Sequence, residues 1–149
     1  MPSRSGGLRL ETKHLLPAPP SAVFGAFNEH ELASWWGPHG FTIPGLDFIP
    51  SVGRTYRLEM QPPDGESFRL TGEFREVDPP SRLAFTFVWD PPDLDDAETL
   101  VELSFRDLGG STEVDFTQGP FKTEARLALH RDGWTDSFEK LLTQLRRAE

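Results

Sequence analysis

Residues 67–90 read SFRLTGEFREVDPPSRLAFTFVWD, and the period of this stretch decides the fold class. Phe68, Leu70, Gly72 and Phe74 alternate with Arg69, Thr71, Glu73 and Arg75, the pattern of a strand with one buried and one wet face. Pro79-Pro80 ends that strand, because proline cannot donate to a ladder. Beyond the turn, Leu83, Phe85, Phe87 and Trp89 again share one face. Two such runs joined by a short turn predict an antiparallel hairpin.

The same period continues on both sides. Tyr56, Leu58 and Met60 alternate with Arg57 and Glu59, and a PPDG turn joins that run to Phe68. FTIPGLDFIP (41–50) reads as a strand broken at Pro44-Gly45, a bulge or an edge. Downstream, Val101, Leu103 and Phe105 form one inward set, and Thr112, Val114, Phe116 and Gln118 form another after the Gly109-Gly110 turn. LRLETKHLL (8–16) predicts a first strand with Leu8, Leu10, Thr12, His14 and Leu16 on one face. The period becomes helical in two places. Pro19 and Pro20 open a short helix carrying Val23, Phe24 and Phe27, and EHELASWW (29–36) is a second, stopped by Gly37-Pro38. Thr123 then caps a long helix with Glu124 at its positive end. Trp134, Phe138, Leu141, Leu142 and Leu145 recur along it at helical intervals, and it would run about 37 Å to Arg147.

The predicted class is α+β, a curved antiparallel sheet of six to seven strands wrapped around a long C-terminal helix, with two short helices after the first strand. One domain, residues 8–149, follows a flexible tail at 1–7. The formal charge of −9 leaves no basic patch for nucleic acid and argues against anionic membrane surfaces. With no cysteine there is no disulfide, thiolate nucleophile or cysteine metal site. MPSRSGGLRLETK carries no apolar signal segment, so the expected location is cytoplasmic.

Several segments together carry a resemblance: APPSAVFGAF, ELASWWGPHGF, DGESFRLTGEFREVDPPSRLAFTFVW, TLVELSF and HRDGW. They resemble the START-like, or SRPBCC, superfamily, in the branch named after the activator of the heat-shock protein 90 ATPase. The resemblance covers nearly the whole chain after the tail. It implies the helix-grip fold, an internal cavity and an association with stress response. Domains of this kind range over ligand carriers, chaperone partners and cyclase-like enzymes, so fold does not fix function.

The residues themselves favour a non-catalytic domain binding a small apolar or aromatic molecule between sheet and helix, as a monomer or weak homodimer. The expected lining is Phe41, Tyr56, Leu58, Met60, Phe85, Phe87, Trp89, Leu103, Phe116, Trp134 and Phe138, with Trp36 at the mouth and His130 as polar anchor. Trp35 and Trp36 stand about 100° apart on a helix, so one should fill core and the other face the rim. Gly133 costs a helix interior about 1 kcal/mol against alanine, so a strand or a ligand should approach it closely. Glu59, Glu73, Glu102, Glu113 and Asp115 fall on the wet face, which disfavours acid–base catalysis in the cavity. No cofactor is implied. The four histidines show no metal-ligand spacing, so no metal site is expected, and the acidic loop 90–98 reads as solvated. Two alternatives remain: a chaperone-associated interaction module, and a cyclase- or hydrolase-like enzyme using His14, His130 or Asp47.

Overall fold

The computed structural model describes residues 8–148, so the expected tail at 1–7 lies outside the described residues. Seven strands form one antiparallel sheet: β1 Leu8–Leu16, β2 Thr42–Asp47, β3 Thr55–Gln61, β4 Phe68–Asp78, β5 Arg82–Asp90, β6 Thr99–Asp107 and β7 Thr112–Phe121. Their order is β1-β7-β6-β5-β4-β3-β2, a meander from β2 to β7 with β1 added beside β7. The alternation orients every strand. Leu10, Tyr56, Leu58, Met60, Leu70, Phe74, Phe85, Val101, Leu103, Val114 and Phe116 are all buried on the inner face. The edge strand β2 slips register between Thr42 and Gly45, around Pro44.

The long helix α2, Glu124–Arg147, covers that inner face. Its Thr123 cap accepts from the Arg126 amide at 3.1 Å. Trp134, Phe138 and Leu141 form its buried stripe. The short helix α1, Pro20–Gly25, begins with proline in its first turn, where the missing N–H costs nothing. The second helical segment is only a 3₁₀ turn, Leu32–Ser34. This shortens the second helix expected over 29–36. Trp35 already lies outside the turn, at φ −132°. The chain there is no longer a helix with one inner face, and both indoles are buried, at 0% and 3% exposure.

The β4–β5 ladder is irregular as well, with a register shift between Phe74 and Glu76. Between β4 and β5 the pairing lapses after Thr71↔Val88 and resumes at Phe74↔Phe85. Side chains take over the backbone's bonds there. The Glu73 N–H donates to Thr86 Oγ1 at 2.8 Å, and the Tyr56 hydroxyl donates to the Thr86 carbonyl at 2.6 Å. Tyr56 reaches that carbonyl across Gly72, its direct partner on the neighbouring strand. The sheet therefore bends at a residue without a side chain, and one tyrosine bridges three strands over the bend.

Candidate functional site

Sheet and helix part at one end of the grip around a half-open pocket of about 130 Å³. A dry apolar cavity of similar size, about 150 Å³, holds a benzene molecule. The sheet contributes Met60 at the end of β3, Phe68 at the start of β4, and Phe87 and Trp89 at the end of β5. The segment after the 3₁₀ turn contributes Trp36, Gly37, Pro38 and Phe41, and α2 contributes Leu129, His130, Gly133, Trp134 and Ser137. Trp36, Phe41, Met60, Phe87, Trp89, His130 and Trp134 of the expected lining thus stand around one space. Tyr56, Leu58, Phe85, Leu103, Phe116 and Phe138 are packed in the core and do not border it.

The walls are aromatic edges and faces. Trp36 meets Trp134 edge-on at 4.8 Å between ring centroids, Phe87 meets Trp89 at 5.0 Å, and Phe68 meets Trp89 at 5.2 Å. The polar side-chain atoms of Trp89, His130, Trp134 and Ser137 are already engaged. The Trp89 indole N–H donates to His130 Nε2 at 2.9 Å, while His130 Nδ1 lies 2.9 Å from the Arg126 carbonyl oxygen. That pair of bonds places the ring proton on Nδ1 and makes His130 a neutral imidazole. Burial pushes its pKa down in the same sense. The Trp134 N–H donates to Gln118 Oε1 at 2.8 Å, and the Gln118 amide donates to Thr99 Oγ1 at 2.9 Å. Ser137 Oγ accepts from the Gly37 N–H at 2.8 Å and donates to the Gly133 carbonyl at 2.9 Å.

Gly133 has no packing reason to be glycine. A Cβ placed there would meet only Pro38 Cγ, at 3.7 Å, an ordinary contact. The strand that the sequence reading allowed as its neighbour is not there, and the space beside it is the cavity. Phe68 was legible as an inward residue of β4, and Ser137 as the position one turn beyond Gly133. Leu129 and Pro38 carry no signal of their own and border the cavity through tertiary placement alone.

The other titratable candidates lie elsewhere. His14, half-buried on β1, stacks on Phe138 at 4.1 Å and hydrogen-bonds Thr12. Asp47 is paired with Arg54 at 3.3 Å, with half its side chain exposed. Glu73, Glu102, Glu113 and Asp115 each pair with a surface cation, namely Arg75, Arg9, Arg106 and Lys13. His39 comes within reach of Asp136 and Glu139 on α2, a surface grouping of three ligand-type side chains that spacing along the chain did not reveal. Two bonds account for it as a staple: the His39 N–H donates to Asp136 at 3.1 Å, and its Nε2 lies 3.3 Å from Glu139. The acidic loop is less solvated than expected. Asp93, Asp95 and Asp96 converge on Arg126, whose side chain is only 16% exposed. The Arg126 hydrogen bond holds the Asp95 carboxyl below its ordinary pKa. This ties the loop to the first turn of α2, one turn before His130.

The family model described as activator of Hsp90 ATPase homolog 1-like protein matches residues 17–146. No curated protein matches the chain. Several solved structures share its fold. An AHSA1 protein from Silicibacter pomeroyi is 25% identical, with 95% of this chain and 100% of that one covered at a TM-score of 0.84. A Rhodobacter sphaeroides protein is also 25% identical, over 100% and 98% of the two chains, at 0.82. A Chromobacterium violaceum protein at 22% identity covers 92% and 96%, at 0.84. Among the described residues, no helix is long and apolar enough to cross a membrane.

Proposed function

The chain belongs to the activator of Hsp90 ATPase homolog 1-like family, and on that premise we propose that it binds a small apolar or aromatic molecule in the cavity between sheet and helix. The observation that carries this reading is Gly133. A glycine in mid-helix costs roughly 0.5–1 kcal/mol against alanine, and here alanine would fit without a clash. Stability alone would favour alanine, so the glycine supports a use for the empty space it borders.

Two substitutions test this. Gly133→Ala is expected to raise stability by about 0.5–1 kcal/mol in urea unfolding. Gly133→Leu is expected to fill the cavity and abolish uptake of benzene-sized probes, followed by the nitrogen-15 indole signals of Trp36, Trp89 and Trp134. If those signals stay still in the parent protein under saturating benzene, toluene and ethylbenzene, the reading fails.

A second reading is docking on a chaperone ATPase. The family's description supports it, as does Leu94, fully exposed at 100% on the acidic loop. An acidic loop with an apolar tip suits a basic, partly apolar partner surface. The chain is then expected to stimulate ATP turnover by a purified Hsp90-type ATPase, and Leu94→Asp is expected to remove the stimulation. Unchanged turnover at saturating chain would end this second reading.

A further inference from the structure

Three of the four indoles have their N–H groups committed: Trp35 to the Ala26 carbonyl at 3.1 Å, Trp89 to His130 and Trp134 to Gln118. Trp36 is the one whose N–H has no partner among the described residues. No fully buried side-chain nitrogen or oxygen among them lacks a partner, so this N–H retains accessible surface. Trp36 is only 3% exposed, and the space it borders is the cavity. The other polar groups of the lining are taken. Both His130 nitrogens are bonded, and the Ser137 hydroxyl both accepts and donates. No lining residue carries a charge, among the described residues. The chain as a whole stands at −9.

From this we propose that the cavity selects neutral, single-ring molecules bearing one hydrogen-bond acceptor, such as an aryl ketone, aldehyde or ester, and that the Trp36 indole N–H is the group that reads the acceptor. This rests on the ligand-binding reading above and narrows it to a chemical class. A neutral donor in an apolar wall gains from a carbonyl oxygen what it would otherwise lose by facing no partner. An ionised carboxylate on the same ring meets no countercharge there, and its desolvation goes uncompensated. The volume, about 130 Å³, suits one six-membered ring and a short substituent rather than a fused polycycle or a long acyl chain.

The test uses three probes with the same ring: ethylbenzene, acetophenone and benzoate at pH 7, titrated against nitrogen-15-labelled protein. Acetophenone is expected to move the Trp36 Nε1–H proton downfield of its position with ethylbenzene bound, because both probes bring the same ring current and only acetophenone adds a hydrogen bond. Benzoate is expected to bind at least about ten-fold more weakly than acetophenone. In Trp36→Phe, the affinity for acetophenone is expected to fall about five-fold further than that for ethylbenzene. Equal losses of the two ligands in that variant, a Trp36 proton in the parent no further downfield with acetophenone than with ethylbenzene, or benzoate as the tightest probe would each overturn the proposal while leaving the cavity a binding site. Failure of all three probes to bind would remove both readings together. If Trp36→Phe does not fold, the parent's proton shift and the benzoate comparison still decide the matter.

Discussion

Gly72→Ala is expected to destabilise the domain by about 3 kcal/mol or more, which at this chain length lowers the melting temperature by on the order of 10 °C. A Cβ on residue 72 would overlap the Thr86 carbonyl oxygen and stand 2.5 Å from Tyr56 Cε1. The tyrosine ring can turn aside, but the carbonyl belongs to the backbone of β5 and moves only if the strand does. Moving it breaks the Tyr56 bond to that carbonyl and disturbs the Glu73 bond to Thr86 Oγ1. The cost is therefore larger than ordinary overpacking, because a buried acceptor loses its donor as well. Tyr56→Phe isolates that second part and is expected to cost about 1–3 kcal/mol with the sheet intact. Urea unfolding of both variants decides this. A Gly72→Ala protein within about 1 kcal/mol of the parent would show that the bend relaxes easily and that Tyr56 does not hold it.

Acid is expected to weaken the fold well before its carboxylates protonate. Burial against Phe138 lowers the pKa of His14 from its ordinary 6.5 to about 4. The unfolded chain therefore takes up a proton that the folded one refuses between those two values. Stability is full above about pH 6.5 and falls as the pH drops toward 4. Below that, His14 contributes no further change. The full shift would correspond to over 3 kcal/mol. His14 is only partly buried, and screening reduces the expected loss to about 2 kcal/mol. His130 is shifted in the same direction and adds to it. Thr12 hydrogen-bonds His14, Phe138 stacks on it and Val114 is its partner on β7, and burial is the cause of its shift. His14→Phe keeps a ring on Phe138 and removes the titration. Unfolding free energies of parent and variant at pH 7.0, 5.5 and 4.5 should diverge by about 2 kcal/mol at the acid end. Parallel profiles would assign the acid sensitivity to other groups.

The strand faces were legible because alternation is a local property. Tyr56-Leu58-Met60 and Phe85-Phe87-Trp89 needed only their own neighbours to be read as inward. The cap at Thr123 was legible for the same reason. Where the cavity lies was not, because alternation names a face but not the point along it where helix and sheet part. That point falls at the strand ends, at Met60, Phe68, Phe87 and Trp89, and leaves the mid-strand residues Leu58, Phe85 and Leu103 closed in core. The polar wiring was equally hidden. Trp89 finds His130, and Arg126 finds Asp93, Asp95 and Asp96, across dozens of residues. The bend at Gly72 left one hint, a glycine on an otherwise bulky inward face. The burial of both Trp35 and Trp36 depended on the helical turn ending at Ser34, and boundaries of that size are set by tertiary packing.

The placement of the tryptophans also has an optical consequence. Trp36, Trp89 and Trp134 border the cavity, and Trp35 lies tilted against Trp36 with ring centroids 5.9 Å apart, close enough for excitation to pass from one indole to the next. The ultraviolet emission of this protein is thus a property of one small space rather than an average over the fold. A single quenching molecule in that space would darken nearly the whole chain.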